Sequence, residues 1–208
     1  MSGEKRGYKQ FCGTAKALDV VGERWTLLIV RNLLLGPRRY SELMAELPGI
    51  TTNLLAKRLK ELSEHGLIEE ADRRDGYQLT VRGAALEPVV IELARWGSEY
   101  MQQPGAGERV DIGWALLSLK ARYRPPKVFG TLELDIDQRS FSLMLAASTL
   151  YVREAKNPHA DAMVQLTARQ FVSHVVRGHG LSALVRSGKI AARGELSLIQ
   201  AFETSCSA

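Results

Sequence analysis

The stretch from Gly36 to Gly66 limits the fold more than any other part of this 208-residue chain. Gly36-Pro37 ends one apolar run, and Pro48-Gly49 ends a second, shorter one at Ser41 to Leu47. Thr51 then stands where a helix N-cap belongs, and Gly66 is placed to close the helix that runs to His65. Inside that helix Leu55, Leu59 and Leu62 fall on one side, with Leu54 and Arg58 on its flanks, while Asn53, Ala56, Lys57 and Lys60 lie opposite. Next come Leu67 to Ala71, then Asp72-Arg73-Arg74-Asp75-Gly76, then Tyr77-Gln78-Leu79. Two short extended pieces around a turn ending in Asp-Gly predict a β-hairpin. The order helix, tight turn, helix, hairpin is that of a helix-turn-helix with a wing.

The flanks complete the first domain. Cys12 to Val21 reads as a helix with Ala15 and Leu18 on one face. Trp25 to Leu35 is apolar nearly all round, so it is expected to be the buried centre of the domain. Thr80 is placed to cap a final long helix through Leu86, Val90, Leu93 and Trp96, with a kink or break near Pro88. A seam follows at Gln102 to Arg109, with one Pro, two Gly and no large apolar side chain. The expected division is therefore residues 1–101, a linker at 102–110, and a second domain at 111–208. Gly105-Ala106-Gly107 is a fragment of a nucleotide-binding fingerprint, but no strand precedes it and Val110 stands where the third Gly belongs.

The polar face of the Thr51–His65 helix carries the chemistry of duplex reading. An Asn bonds bidentately to adenine, a Lys reaches guanine or a phosphate, and an Ala lets a thymine methyl approach. Thr52 and Asn53 lie in the first turn, the end that usually points at the bases. Arg38 and Arg39 sit where the short helix begins and are candidates for phosphate contacts; Arg73 and Arg74 sit at the wing tip, where side chains enter a minor groove. Total charge does not make the case. Residues 1–110 carry 16 Lys and Arg against 15 Asp and Glu, and residues 111–208 carry 12 against 8, so the net charge of +5 lies mostly in the second half. The blander alternative for Lys57 and Lys60 is a solvated face, and for Arg58 an ion pair with Glu61 or Glu64.

These residues resemble a known family. Cys12, Ala17 to Ile29, Gly36-Pro37-Arg38-Arg39-Tyr40-Ser41-Glu42-Leu43, Leu47-Pro48-Gly49-Ile50-Thr51, Arg58-Leu59-Lys60-Glu61-Leu62, Gly66-Leu67-Ile68, Tyr77-Gln78-Leu79-Thr80 and Leu93-Ala94-Arg95-Trp96-Gly97 resemble the HxlR-type winged-helix regulators over roughly residues 10–100. The resemblance implies a bacterial-type, cytoplasmic regulator of transcription that binds double-stranded operator DNA as a homodimer. Leu18, Leu93 and Trp96 fall on the helices that such proteins use for dimerisation. The wing is a departure, because the turn at Asp72–Gly76 is shorter than the family pattern. Some relatives sense oxidants or electrophiles through a cysteine near the first helix, and Cys12 falls at that position. There Lys16 and the helix N-terminus would favour a thiolate; a small apolar residue at the dimer interface is the alternative.

The second half reads as an α+β layer fold. Alternating segments at Val128–Ile136, Phe141–Ala147, Leu150–Ala155 and Ala162–Leu166 precede or interleave with helices at Ala168–Arg177, Leu181–Ser187 and Leu196–Thr204. Ala162 to Thr167 and Gly188 to Glu195 resemble the sterol carrier protein-2-like fold over about residues 112–206. That resemblance implies an apolar small-molecule effector held between sheet and helices. Its candidate walls are Trp114, Leu117, Phe129, Phe141 and Leu143, together with Phe171, Val175, Leu184, Ile199 and Phe202; plain core is the alternative. A lipid-carrier role, with the first domain serving dimerisation, is a further alternative. Neither a cofactor nor a metal is expected, and no enzyme: Gly-x-Ser-x-Gly, Cys-x-x-Cys and His-Glu-x-x-His are all missing, and His174 and His179 are wrongly spaced to share a helix face. No uncharged apolar run approaches the roughly 18 residues of a membrane span. Two cysteines far apart suit a reducing compartment.

Overall fold

The computed structural model describes residues 7–71, 76–101, 108–176 and 180–206. The chain divides into two compact units, Met1–Val90 and Ile91–Ala208. Of the linker expected at 102–110, residues 102–107 lie outside the described residues.

The first unit is a winged helix. Its helices are α1 (Gly13–Val21), α2 (Thr26–Leu33), α3 (Tyr40–Glu46) and α4 (Thr52–Glu64), followed by strands β1 (Ile68–Glu70) and β2 (Tyr77–Leu79) and helix α5 (Val81–Ala84). Helix α6 (Glu87–Gly97) comes next. The long helix expected after Thr80 is thus two pieces. The Thr80 hydroxyl caps the first by accepting the Gly83 amide at 3.1 Å, and the second begins one residue before Pro88. A proline is tolerated in a first turn, where its missing N–H costs nothing, and the chain breaks just ahead of it. Ile29, Val30, Leu33, Leu43, Leu55, Leu59 and Leu62 form the centre of the core. Each such side chain contributes about 1.5–3 kcal/mol by leaving water.

Local chemistry sets α4. Thr51 accepts the Leu54 amide at 3.3 Å, and Gly66 follows the helix with φ +64°, a conformation that favours glycine. The hairpin pairs Ile68 with Leu79 and Glu70 with Tyr77. A third extended segment joins it that the sequence reading did not anticipate: Arg38 and Tyr77 exchange backbone hydrogen bonds of 2.9 and 2.8 Å. The approach is close enough that a Cβ on Gly76 would lie 2.3 Å from the Arg38 carbonyl oxygen, which accounts for the glycine there.

The second unit holds α7 (Ile112–Leu119), strands β3 (Gly130–Ile136), β4 (Arg139–Leu145), β5 (Leu150–Arg153), β6 (Ala162–Leu166) and β7 (Ala191–Gly194), and helices α8 (Ala168–Phe171), α9 (Leu181–Arg186) and α10 (Leu196–Ser205). A π-type segment, Val172–Val176, continues α8. The sheet is mixed, in the order β5-β4-β3-β6-β7, with only β3 and β6 parallel. One face of β3 and β4 sends Leu132, Leu134, Ile136, Phe141, Leu143 and Leu145 into the core, where Phe171, Leu198 and Phe202 are also buried. The start of α7 is pinned by charge. Asp111 caps it through the Gly113 amide at 2.8 Å and meets Arg139 at 2.9 Å, and Arg139 also grips Glu154 at 2.7 and 3.0 Å. Burial alone would raise the Asp111 carboxyl, but Arg139 and the two helix amides outweigh it and hold it below the usual carboxylate range.

Among the described residues no helix is long and apolar enough to cross a membrane.

Candidate nucleic-acid interface

The outer face of α4 is open. Thr52, Asn53, Ala56, Lys57 and Lys60 are all exposed, whereas Leu55, Arg58, Leu59 and Leu62 on the opposite side are buried. The residues that the helical wheel sets on one side are therefore together on one solvent-facing surface. Lys60 lies 3.9 Å from Glu64, a loose exposed pair that costs little to break.

Side-chain hydrogen bonds from Arg58 and Tyr40 hold this helix in place. The Arg58 guanidinium bonds Glu61 at 2.6 Å, Glu23, and the Arg24 carbonyl at 3.2 Å, so it ties α4 to the corner between α1 and α2. The pairing with Glu61 matches the ion-pair alternative read from the sequence; the contacts to Glu23 and Arg24 bridge more than thirty residues and leave no local signature. Tyr40 donates its hydroxyl to the Thr52 carbonyl at 2.8 Å, fastening the start of α3 to the first turn of α4. Tyr40 was not singled out in the sequence. Its only signal is a place beside the arginine pair, one residue ahead of the Ser41 start expected for the helix.

The two arginines before α3 part company. Arg38 is buried, its guanidinium bonding Glu46 at 3.1 Å and the Pro37 carbonyl at 3.0 Å. Arg39 is exposed at the N-cap of α3, where its amide donates to Glu42 at 2.6 Å. Arg73 and Arg74 lie outside the described residues.

Elsewhere in the first unit, Cys12 is the exposed N-cap of α1. Hydrogen bonds from the Ala15 amide and then the Thr14 amide lower its thiol below the usual value. Lys16, which the sequence suggested as a partner, lies 3.9 Å from Asp19 instead. Leu18 is exposed on α1; on α6, past Val90 where the first unit ends, Leu93 and Trp96 are exposed as well. In the second unit, Phe141, Leu143, Phe171 and Phe202 are fully buried, and Leu117, Val175 and Ile199 nearly so. Trp114 and Leu184 are half-buried. Phe129 is 55% exposed, because it precedes β3 instead of alternating within it.

The profile of the HxlR-like helix-turn-helix family matches residues 20–104. The uncharacterised HTH-type transcriptional regulator YvaP of Bacillus subtilis (strain 168) is 40% identical over 91 residues, which are 41% of this chain and 84% of YvaP. The HTH-type transcriptional regulator YodB of the same organism is 35% identical over 94 residues, 43% of this chain and 83% of YodB. Among solved structures, the redox regulator HypR in its oxidised form is 28% identical, with a TM-score of 0.41, covering 44% of this chain and 99% of HypR. These relatives are regulators of transcription and not enzymes. An exposed Asn/Lys face on a leucine-backed second helix, a hairpin behind it, and relatives matched over most of their length make one conclusion: the chain belongs to the HxlR-like helix-turn-helix family of DNA-binding transcriptional regulators.

Proposed function

We propose that α4 is the reading helix of a sequence-specific regulator, with Asn53 and Lys57 on base edges, Thr52, Ala56 and Lys60 beside them, and Arg39 on a phosphate. The observation that carries this is the exposure of the whole polar face of α4 while its leucines and Arg58 anchor the other side. Arg38 then acts from inside: paired with Glu46 and bonded to Tyr77, it joins the start of α3 to the wing. Arg73 and Arg74, which stand between the two strands in the sequence, are assigned a minor-groove role. The protein works in the cytoplasm as a homodimer through α1 and α6, whose Leu18, Leu93 and Trp96 are exposed apolar side chains of the kind that a partner covers.

The division of labour follows the chain: residues 1–101 bind DNA and dimerise, 102–110 link, and 111–208 form a sterol carrier protein-2-like domain that takes an apolar effector and biases DNA affinity. Support for the last part is a mixed sheet packed with helices over its own apolar core. Such control requires that the effector bind the DNA-competent and incompetent states unequally.

The test is a binding titration on operator DNA at several salt concentrations. Asn53→Ala relaxes the preference for the operator over a mismatched site by about 1–3 kcal/mol. Arg39→Ala weakens all sites alike and lowers the salt slope by about one. An unchanged preference in Asn53→Ala refutes the reading face.

A second reading has its own observation. Cys12 is exposed, and the amides that open α1 favour its thiolate, the reactive form. It makes Cys12 an oxidant- or electrophile-sensing switch acting on the same DNA-binding unit.

A further inference from the structure

The second unit carries an open cleft of about 460 Å³ between the segment leading into β3 and the outer side of α10. None of the ten candidate wall residues read from the sequence lines it. Pro125, Pro126, Val128 and Ala201 give it an apolar floor. Arg124 and Lys127 stand on its rim, both exposed, and no acidic side chain is among its lining residues. Among the described residues neither cation forms an ion pair.

Ser205 supplies an independent observation. It lines the cleft, is only 3% exposed, and its hydroxyl finds no hydrogen-bond partner among the described residues. A buried hydroxyl left unpaired is costly, and native proteins seldom leave one without a reason. The neighbouring Thr204 hydroxyl shows the ordinary solution, bonding the Gln200 and Ala201 carbonyls at 3.0 and 3.1 Å. The Arg124 amide donates to the Ser205 carbonyl at 2.8 Å, so the unsatisfied hydroxyl and an unpaired cation belong to adjoining residues.

We propose that this cleft binds an amphipathic carboxylate, a medium-chain acyl acid. The carboxylate accepts from the Arg124 and Lys127 side chains and from the Ser205 hydroxyl, and the chain lies on the two prolines, Val128 and Ala201. Hydrogen bonds between ions are the stronger kind, which favours a charged head over a neutral alcohol. The apolar floor favours a hydrocarbon tail over a bare anion. The end of α10 carries partial negative charge, so the anion depends on the two side chains and not on the helix. The cleft volume lies within the roughly 300–1,000 Å³ of small-molecule sites. This assignment rests on the effector reading above and gives it a place and a ligand class.

The test is calorimetry on the full chain with octanoate, octanol and acetate at one ionic strength. Octanoate is expected to bind at least about tenfold more tightly than either comparison compound. The double variant Arg124→Gln, Lys127→Gln, at two exposed positions that leave the thermal midpoint unchanged, loses about tenfold for octanoate and nothing for octanol. Ser205→Ala weakens octanoate with the cations intact. Equal binding of octanol, or full octanoate affinity in the double variant, overturns the proposal. Operator affinity is read in parallel. Octanoate bound at the cleft with operator affinity unchanged upholds the site and removes the effector reading. Octanoate-driven operator release that persists undiminished in the double variant upholds the effector reading and removes the site.

Discussion

The two cysteines of this chain are opposite in character, and the surroundings of each thiol explain why. Cys12 is exposed at the start of α1, where the Ala15 and Thr14 amides stabilise the thiolate. Cys206 is buried, and that burial pushes its thiol up to about 12 despite the nearby Arg122. Thiolate is the reacting form, so alkylation separates them. Iodoacetamide is expected to modify Cys12 with a half-maximal rate at a lower pH than an unperturbed cysteine in a short peptide, while Cys206 stays unmodified in the folded protein. Mass spectrometry after a short pulse at pH 7 checks this. If Cys12 is the switch, Cys12→Ser also abolishes oxidant-driven operator release; release that survives the substitution ends the redox reading.

Helix α4 shows how an element is started locally and held from afar. Its ends are local: Thr51 caps one and Gly66 closes the other. Thr51→Ala is expected to destabilise the first unit by about 1 kcal/mol, read as a lower urea midpoint with an unchanged slope. A loss indistinguishable from zero would show that the Tyr40 hydroxyl and the leucines hold the first turn without the cap. The wing shows the other half of the lesson. Its two strands were legible from alternation and an Asp-Gly turn, but the Arg38 segment that pairs with Tyr77 was not. One backbone bridge has no periodicity, and the two residues are far apart along the chain. Phe129 is a different case: three residues before Leu132, it is out of phase with Leu132, Leu134 and Ile136, and it lies outside the paired strand and is 55% exposed.

At the scale of the whole molecule, the excess positive charge and the proposed reading face fall in different parts of the sequence. Most of the excess charge lies in residues 111–208, while the proposed reading face carries only a few cations within the nearly neutral residues 1–110. In the proposed reading, affinity for an operator depends on two copies acting together. In the proposed homodimer the two reading helices stand about 34 Å apart, one turn of DNA. Inserting five base pairs between half-sites is expected to weaken binding far more than inserting ten, because five turns one half-site to the opposite side of the duplex. Gel-shift titrations on the three operators check this, and equal losses for both insertions would refute the two-fold arrangement.

The sequence by itself determined the ends of α4, the hairpin and the split of α4 into a leucine side and a polar side. Those follow from caps, turn residues and a period of 3.6, all readable within a few neighbours. Tertiary structure alone decided that Arg38 is buried against Glu46 while Arg39 faces water, that Arg58 bridges to Glu23, and that the cleft of the second unit lies outside its phenylalanine core. The reason is that burial and pairing depend on which distant segment arrives beside a residue, and adjacent arginines look the same until that segment is in place.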